Sequence, residues 1–298
     1  MPLYEILSTG LSPFRNLRGG AELYETEIEA LAWANPDEFI GEALLLVARQ
    51  PHLRHGGIPD IVGLAGDGRV VVIEIKRDID RRQLAQCLEY AGWARTTNLD
   101  ELASMYHSGS EAFFRDWQEF TEASVPQVIN RNPRVVLIAR TYHVRTGDAL
   151  DFLQENRVPV TLVKVSMYED ERGRRFLDIV GEQEPELAGE GATSHYTRID
   201  GRRVRLSDLI EAELLRPGDA LIWPRPRLGV THHATISENG GIALEDGREF
   251  SSPSLAAKEA ANIPAYDGWH AWRVERLDGV FLNELRKDLA QQRAVGDL

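Results

Sequence analysis

Two apolar segments meet at a glycine-rich turn in residues 58–76, IPDIVGLAGDGRVVVIEIK, and this pattern constrains the fold more than any other in the chain. If the hairpin turns about Asp67, Asp60 lies opposite Glu74, because both positions are equidistant from the turn. Side chains alternate along a strand, so Lys76 projects from the same face as Glu74, while the apolar side chains between and before them point the other way. The hairpin therefore predicts a patch that contains two carboxylates and an ammonium.

The charges of this patch follow a strand that is apolar on both faces. Residues 70–73 are Val, Val, Val and Ile, a run typical of a buried central strand. Paired carboxylates repel each other unless a cation neutralises them, and hard oxygen ligands suit Mg²⁺ or Mn²⁺. Arginine is the usual basic residue of this chain, so the lysine at position 76 indicates a need for a compact ammonium. The alternative is a surface hairpin with an ordinary Glu/Lys pair.

A predicted helix lies on each side of the hairpin. Downstream, RRQLAQCLEYAGWA places Gln86 and Tyr90 on one helical face, four residues apart. Upstream, an acidic helix carries Glu25 and Glu29 on one face and ends near Asn35-Pro36. A solvated helix surface remains an alternative for the acids and for Gln86, and a core position remains one for Tyr90.

Pro59-Asp60 together with Glu74-Ile75-Lys76 resembles the signature of the PD-(D/E)XK nuclease superfamily. The Gln-x-x-x-Tyr helix resembles the additional motif of RecB-like nucleases, and the acidic helix with its Asn-Pro end is similar to NucS-like endonucleases. The resemblance spans roughly residues 20–95. It implies an α/β fold with a restriction-endonuclease-like three-layer core around a mixed sheet.

The resemblance also implies roles for individual residues. Asp60 and Glu74 would bind the metal, Mg²⁺ or Mn²⁺, with the carbonyl of Ile75 as a further ligand. Lys76 would orient or deprotonate the attacking water and stabilise charge on the phosphate. Glu29 would be the acid of the first helix that contacts the metal through water, with Glu25 and Glu22 of the same helix as alternatives. Gln86 and Tyr90, the remaining motif residues, would orient the substrate or hold Lys76 in position.

The periodicity beyond the hairpin predicts that the nuclease-like domain covers residues 1–180. Residues 98–123 and 147–156 are predicted helices, and residues 133–140 and 158–170 are predicted strands. The segment 181–205 begins with a stretch rich in Gly, Glu and Ala and is interpreted as a linker.

Residues 206–298 have the pattern of a small α+β domain. Asn239-Gly240 and Asp246-Gly247 predict tight turns, and Ser252-Pro253 predicts a helix start. The order of these elements, with the segments FSSPSLAA and GWHAW, resembles the RAMA domain, the restriction-enzyme adenine-methylase-associated module. That resemblance covers approximately residues 206–285 and implies recognition of DNA, including its modification state.

The net charge of −13 opposes a nucleic-acid partner unless basic residues are locally concentrated. Arginines do concentrate in the C-terminal region, where the chain is nearly neutral, although a solvated loop explains them equally well. Trp269 is a candidate for base stacking, and a core position is its alternative. The candidate DNA-binding arginines are Arg202, Arg203, Arg205, Arg225 and Arg227.

Several other classes of protein are disfavoured. The single cysteine, Cys87, allows no internal disulfide and no thiolate metal cluster. His232-His233 has no third ligand at a useful spacing, and no Walker-type phosphate loop occurs. No apolar run reaches the ~18 residues that span a bilayer, and the first residues do not begin a signal peptide, so we expect a cytoplasmic protein without a membrane partner.

These observations predict a Mg²⁺-dependent DNA endonuclease of restriction or anti-phage defence, whose recognition of DNA is sensitive to modification. A homodimer is expected, because cutting both strands of a duplex needs two active sites or sequential nicking. A helicase or a methylase is a candidate partner. The alternatives are a repair nuclease for mismatched or branched DNA and a catalytically silent DNA-binding protein.

Overall fold

The computed structural model describes residues 4–7, 10–13, 15–16, 21–54, 56–79, 81–121, 128–142, 153, 158, 160–170, 172–181, 198–199, 202–226 and 228–296. Its helices are α1 Ala21–Ala34, α2 Pro36–Ile40, α3 Arg81–Thr96, α4 Leu99–Ser104, α5 Ser110–Thr121, α6 Leu206–Glu211, α7 Pro253–Ala261, α8 Gly268–Ala271 and α9 Leu282–Gly296. The N-terminal strands are β1 Tyr4–Leu7, β2 Gly10–Pro13, β3 Arg15–Asn16, β4 Leu44–Arg49, β5 Ile61–Ala65, β6 Arg69–Ile79, β7 Asn130–Tyr142, β8 Val160–Glu169 and β9 Arg175–Gly181. The C-terminal strands are β10 Arg198–Ile199, β11 Arg202–Arg203, β12 Ala220–Arg225, β13 Val230–Ile236, β14 Ile242–Leu244, β15 Glu249–Phe250, β16 Arg273–Val274 and β17 Val280–Phe281.

A seven-stranded mixed sheet forms the centre of the N-terminal domain in the described residues. Its strands follow the order β3-β8-β7-β6-β5-β4, and β9 also pairs with β8. The neighbours β6, β7 and β8 are parallel, whereas β4, β5 and β6 are antiparallel. This difference follows from the connections, since a tight turn joins β5 to β6 while helices α3 to α5 lie between β6 and β7. The mixed sheet predicted from the sequence is confirmed.

Apolar side chains cover both faces of this sheet, so the domain has three layers. Helices α1 and α2 pack on the face that contains Val71, Ile73 and Ile75. Helices α3, α4 and α5 pack on the opposite face, which contains Val70 and Val72. The strict alternation along β6 is the pattern that the sequence predicted, and it confirms the three-layer α/β core.

The hairpin of β5 and β6 turns where the sequence predicted. Ile61 pairs with Ile73, so the register is centred on Asp67. The N–H of Gly68 donates to the carbonyl of Ala65 at 2.9 Å, and Gly68 has a φ of 81°, a left-handed conformation that favours glycine. The short turn thereby fixes which residues of the two strands face each other.

The helix predicted at residues 98–123 is interrupted. Residues 105–109 form a turn between α4 and α5, and Gly109 has a φ of 88° that an α-helix does not contain. Of the other predicted elements, the two strands are confirmed as β7 and β8, and the helix at 147–156 lies outside the described residues except for Leu153.

The C-terminal domain is the predicted α+β unit. Its antiparallel sheet has the order β15-β14-β13-β12-β16-β17 and packs with α6, α7, α8 and α9 around one apolar core. Gly240 and Gly247 occupy the predicted tight turns with φ of 78° and 85°. Ser252 is the N-cap of α7, and its hydroxyl accepts a hydrogen bond from the N–H of Leu255 at 3.3 Å. Part of the segment interpreted as a linker forms the short pair β10 and β11.

Two glycines provide a matched test of this packing. A Cβ on Gly268 would lie 1.9 Å from the carbonyl oxygen of Pro253, whereas a Cβ on Gly92 in α3 would meet nothing within 4 Å. We expect Gly268→Ala to destabilise the C-terminal domain by about 3 kcal/mol or more, because the contact is with backbone. Gly92→Ala should stabilise the protein by about 0.5–1 kcal/mol through its helix propensity. Urea unfolding followed by circular dichroism measures both, and equal effects of the two substitutions would contradict the close packing of α8 on α7.

Candidate active site

Asp60 and Glu74 are brought together by the register of β5 and β6. Because Ile61 pairs with Ile73, the next position outward places Asp60 opposite Glu74, as the sequence predicted. Oδ2 of Asp60 accepts a hydrogen bond from the N–H of Ile75 at 2.6 Å, so the aspartate side chain is fastened to the edge of β6. Glu74 is 2% exposed and belongs to the buried part of the strand.

The ammonium of Lys76 lies between the two carboxylates. Its Nζ is 2.9 Å from Oε1 of Glu74 and 3.5 Å from Oδ2 of Asp60. It also donates a hydrogen bond to the carbonyl oxygen of Ile75 at 2.9 Å. Oxygen atoms of the three residues to which the family resemblance gives a metal-binding role therefore converge on one point, and that point holds a positive charge.

Burial and mutual repulsion shift the acid–base properties of this group. Burial, and then the charge of Asp60, raise the pKa of Glu74 to about 7. The pKa of Asp60 is also raised, mainly by burial and further by the nearby charge of Glu29. Burial alone would lower the pKa of Lys76, but the two carboxylates raise it, so the ammonium stays charged. A carboxylate pair of this kind is stabilised by any cation between its members.

Helix α3 closes the site from the side of Val70 and Val72. Tyr90 is 1% exposed, and burial followed by the charge of Glu74 raises the pKa of its hydroxyl. Its ring packs against the loop before β5, where a Cβ on Gly57 would lie 2.9 Å from the ring. Gln86, one turn earlier, is partly buried and makes no hydrogen bond within the described residues. Cys87, the next residue of α3, is fully buried beside these residues, and burial followed by the charge of Glu74 raises the pKa of its thiol.

Glu29 of α1 is held by two residues at the end of β4. Its Oε1 accepts a hydrogen bond from Nε of Arg49 at 2.9 Å, and its Oε2 accepts one from Nε2 of Gln50 at 3.0 Å. The backbone N–H of Gln50 donates to the carbonyl of Asp60 at 2.9 Å, so this pair of residues links the first helix to the carboxylate site. Glu25, also in α1, accepts a hydrogen bond from the backbone N–H of Arg77 at 2.9 Å, and its charge contributes to the raised pKa of Lys76.

Arg49 and Gln50 were not predicted from the sequence. The pattern that identified the end of β6 also applies to them. In the segment LLLVARQ, Arg49 and Gln50 are polar residues directly after a buried apolar run. They reach the candidate site because β4 lies beside β5 in the sheet. The local sequence does not determine which strands are neighbours.

A divalent cation would find suitable ligands between Asp60, Glu74 and Ile75. The donors are two carboxylates and a backbone carbonyl, which are hard oxygen ligands. Oε2 of Glu74 is buried without a hydrogen-bond partner in the described residues, so that carboxylate keeps an unused acceptor. No group of three or more His, Cys, Asp or Glu side chains in the described part of the chain is placed to hold a metal, so the carbonyl of Ile75 is needed to complete a three-ligand set.

The candidate DNA-binding residues differ from one another in burial and in their contacts. Arg225 is buried, pairs with Glu119 of α5 at 2.9 Å, and lies over the ring of Trp223, so the structure does not offer it to a phosphate. Trp269 is partly buried and has the guanidinium of Arg286 4.3 Å from its ring centre. Arg205 is exposed, and the side chains of the remaining candidates lie outside the described residues: Arg202, Arg203 and Arg227.

Residues 187–295 match the model of the RAMA family, Restriction Enzyme Adenine Methylase Associated. The RAMA domain predicted from the sequence is therefore confirmed, and the match begins before residue 206. No curated protein sequence matches the chain.

Two solved structures are similar to parts of the chain. A crystal structure of a repair endonuclease from Pyrococcus abyssi matches 46% of this chain and 45% of its own at 21% identity, with a TM-score of 0.27. The structure of an EndoMS complex with double-stranded DNA matches 55% of this chain and 64% of its own at 15% identity, with a TM-score of 0.29. The chain thus spans less than two thirds of either structure. In the described residues, no helix has both the length and the apolar character needed to cross a membrane.

The position of Lys76 yields a prediction about metal binding. We expect Lys76→Met to strengthen the binding of Mg²⁺ or Mn²⁺, because the ammonium no longer competes for the three oxygens, and Glu74→Gln to weaken it. Thermal unfolding with and without metal measures this, since a tenfold change in Kd changes the stabilisation by about 1.4 kcal/mol at saturating metal. Lys287→Met, at an exposed lysine of α9, is the control. Metal-dependent shifts that are the same in all variants would show that the ion binds elsewhere.

Proposed function

We propose that this protein is a metal-dependent DNA endonuclease of the PD-(D/E)XK type that hydrolyses phosphodiester bonds. The observation that carries the proposal is the convergence of Asp60, Glu74 and the carbonyl of Ile75 on Nζ of Lys76. An ordinary surface ion pair would not need a buried glutamate, a fastened aspartate and a backbone carbonyl on one point. This arrangement matches the chemistry of phosphodiester hydrolysis, which requires cations beside an anionic phosphate.

Asp60, Glu74 and the Ile75 carbonyl would hold Mg²⁺ or Mn²⁺, which supplies Lewis-acid polarisation of the phosphate and a more acidic water when it is bound. Lys76 is attached to the same strand as Glu74, so its ammonium remains beside the reacting phosphate after it leaves the carboxylates. There it orients the attacking water and stabilises the negative charge that develops on the phosphate oxygens.

The other residues of the site act around this centre. Glu29, fastened by Arg49 and Gln50, would accept a hydrogen bond from a water near the carboxylates. Tyr90 limits the movement of the Gly57 loop against α3, and Gln86 would contact the substrate or Lys76. The hydroxyl of Tyr90 stays protonated because its pKa is raised, so it can serve only as a hydrogen-bonding group.

We propose that the RAMA domain directs this activity to DNA according to its modification, in restriction or anti-phage defence. Among the described residues of this region, Arg205 is exposed and could contact DNA. The adjacent strand β11 consists of two further arginines, Arg202 and Arg203. Two copies of the chain would cut the two strands of a duplex, and a helicase or methylase would supply translocation or modification that this chain does not provide.

A second candidate function is DNA binding without cleavage. It is favoured by the finding that the described residues contain no group of three metal-binding side chains, so the cation position could be permanently filled by Lys76. Such a protein would bind DNA equally well with and without metal, and substitutions at Lys76 would leave its behaviour unchanged.

Cleavage of supercoiled plasmid in Mg²⁺ or Mn²⁺ tests the first function. We expect Asp60→Asn and Lys76→Met each to lower the cleavage rate by about 10²–10³-fold, the range seen when one group that stabilises the transition state is removed. Lys287→Met should cleave at the rate of the unaltered protein. Cleavage that persists in both site variants would assign the activity to another site or a contaminant, and DNA binding without any cleavage would favour the second function.

The defence role makes a separate prediction about substrates. Unmodified, adenine-methylated and cytosine-methylated plasmids should be cut at rates that differ at least tenfold, which corresponds to about 1.4 kcal/mol of discrimination. The initial rates on the three plasmids measure this. Equal rates on all of them, with selective cutting of mismatched or branched oligonucleotides, would instead establish a repair nuclease.

A further inference from the structure

Arg49 ends β4 at the rim of the candidate active site. It pairs in the sheet with Ile61, and the next residue, Gln50, is bonded through its backbone to Asp60. Gln50 has a φ of 47°, so the chain turns sharply here and leaves the side chain of Arg49 at the edge of the sheet. The guanidinium therefore lies beside Glu29 at the rim of the candidate site.

Two contacts hold the guanidinium in place. Its Nε donates to Oε1 of Glu29 at 2.9 Å, and its central carbon lies 5.6 Å from the centre of the Trp33 ring. The ring of Trp33 is itself packed edge-on against His107, with centroids 5.7 Å apart. A planar group fixed through its Nε and one face has few rotamers left, so little conformational entropy remains to be lost on binding.

The terminal nitrogens of Arg49 are left unused. The side chain is 42% exposed, and Nη1 and Nη2 make no hydrogen bond within the described residues. Arg54, in the loop after β4, has the same exposed fraction but a different arrangement. Its Nη1 lies 3.2 Å from Oε2 of Glu101, and its Nη2 donates to the hydroxyl and carbonyl of Thr96. The two arginines can therefore be compared directly. Nη1 and Nη2 are available for a ligand in Arg49, whereas both are occupied in Arg54.

The surrounding charges indicate which ligand Nη1 and Nη2 of Arg49 bind. Glu29, Asp60 and Glu74 make the site acidic, and a phosphodiester approaching it needs positive charge at the rim as well as at the centre. Two adjacent N–H donors in a plane match two oxygens of a phosphate, which a lysine cannot reproduce. The carboxylate of Glu29 accepts a hydrogen bond from Nε only, so Nη1 and Nη2 keep their donors for a ligand.

We infer that Arg49 is a substrate-binding residue that contacts a backbone phosphate of DNA through Nη1 and Nη2, with Glu29 and Trp33 holding it in position. The inference rests on the proposed function, because the substrate it names is the DNA that the nuclease cuts. It adds a binding residue that the sequence motifs do not contain.

The test is the salt dependence of DNA binding in EDTA, where no cleavage occurs. Fluorescence anisotropy with a labelled 20-base-pair duplex gives Kd of the full chain at several salt concentrations. Loss of one phosphate contact lowers the slope of log Kd against log salt by about 0.9. We expect that decrease for Arg49→Ala and no change in slope for Arg54→Ala.

Two further variants separate phosphate binding from the positioning of Glu29. Arg49→Gln keeps a hydrogen-bond donor for Glu29 but removes the charge, and it should lose the same slope as Arg49→Ala. In a Glu29→Gln background, Arg49→Ala should still lower the slope by about 0.9. If Arg49→Gln binds with the salt slope of the unaltered protein, or if Arg54→Ala lowers the slope as much as Arg49→Ala, Arg49 is not a phosphate contact. These outcomes do not depend on cleavage, so failure of the nuclease proposal in the plasmid assay is a distinct result.

Discussion

The structure depends on one electrostatic constraint, the closeness of two carboxylates at the buried end of a hairpin. Asp60 and Glu74 face each other across β5 and β6, and burial makes their mutual repulsion costly. The ammonium of Lys76 relieves that repulsion from the same strand. Replacing such a buried charged group with apolar residues is often neutral or stabilising, so the stability of the fold alone does not account for its presence.

The rest of the N-terminal domain fixes the positions of these three side chains. The tight turn about Asp67 sets the register, and the parallel pairing of β6 with β7 buries the strand up to the charged residues. Helix α1 brings Glu29 to the same end of the sheet, and β4 supplies the donors that bind it. Rigid strands and helices thus determine the site, which limits the movement of its groups before substrate arrives.

The C-terminal domain contacts the N-terminal domain at α2. The hydroxyl of Ser252 is hydrogen-bonded to the carboxyl of Asp37 in α2, and burial raises the pKa of that carboxyl. A cleft between the domains is lined by Trp33 on one side and by Lys258 and Tyr266 on the other. Trp33 therefore lines the cleft between the domains and also lies against Arg49 at the rim of the candidate site.

The sequence predicted those features that depend on local pattern. The position of the turn, the pairing of Asp60 with Glu74, the cap at Ser252 and the α+β character of the C-terminal domain each follow from a few adjacent residues. Arg49, Gln50 and the burial of Arg225 could not be predicted, because they depend on which strands and domains are neighbours. The break between α4 and α5 was missed because its apolar residues continue the helical period up to the turn.

The decisive measurement is the crystallographic location of Mn²⁺ by anomalous scattering. We expect one strong peak bounded by Asp60, Glu74 and the carbonyl of Ile75, with Nζ of Lys76 displaced from the oxygens that it now contacts. A peak at another position, or Nζ of Lys76 still between the two carboxylates in saturating Mn²⁺, would contradict it.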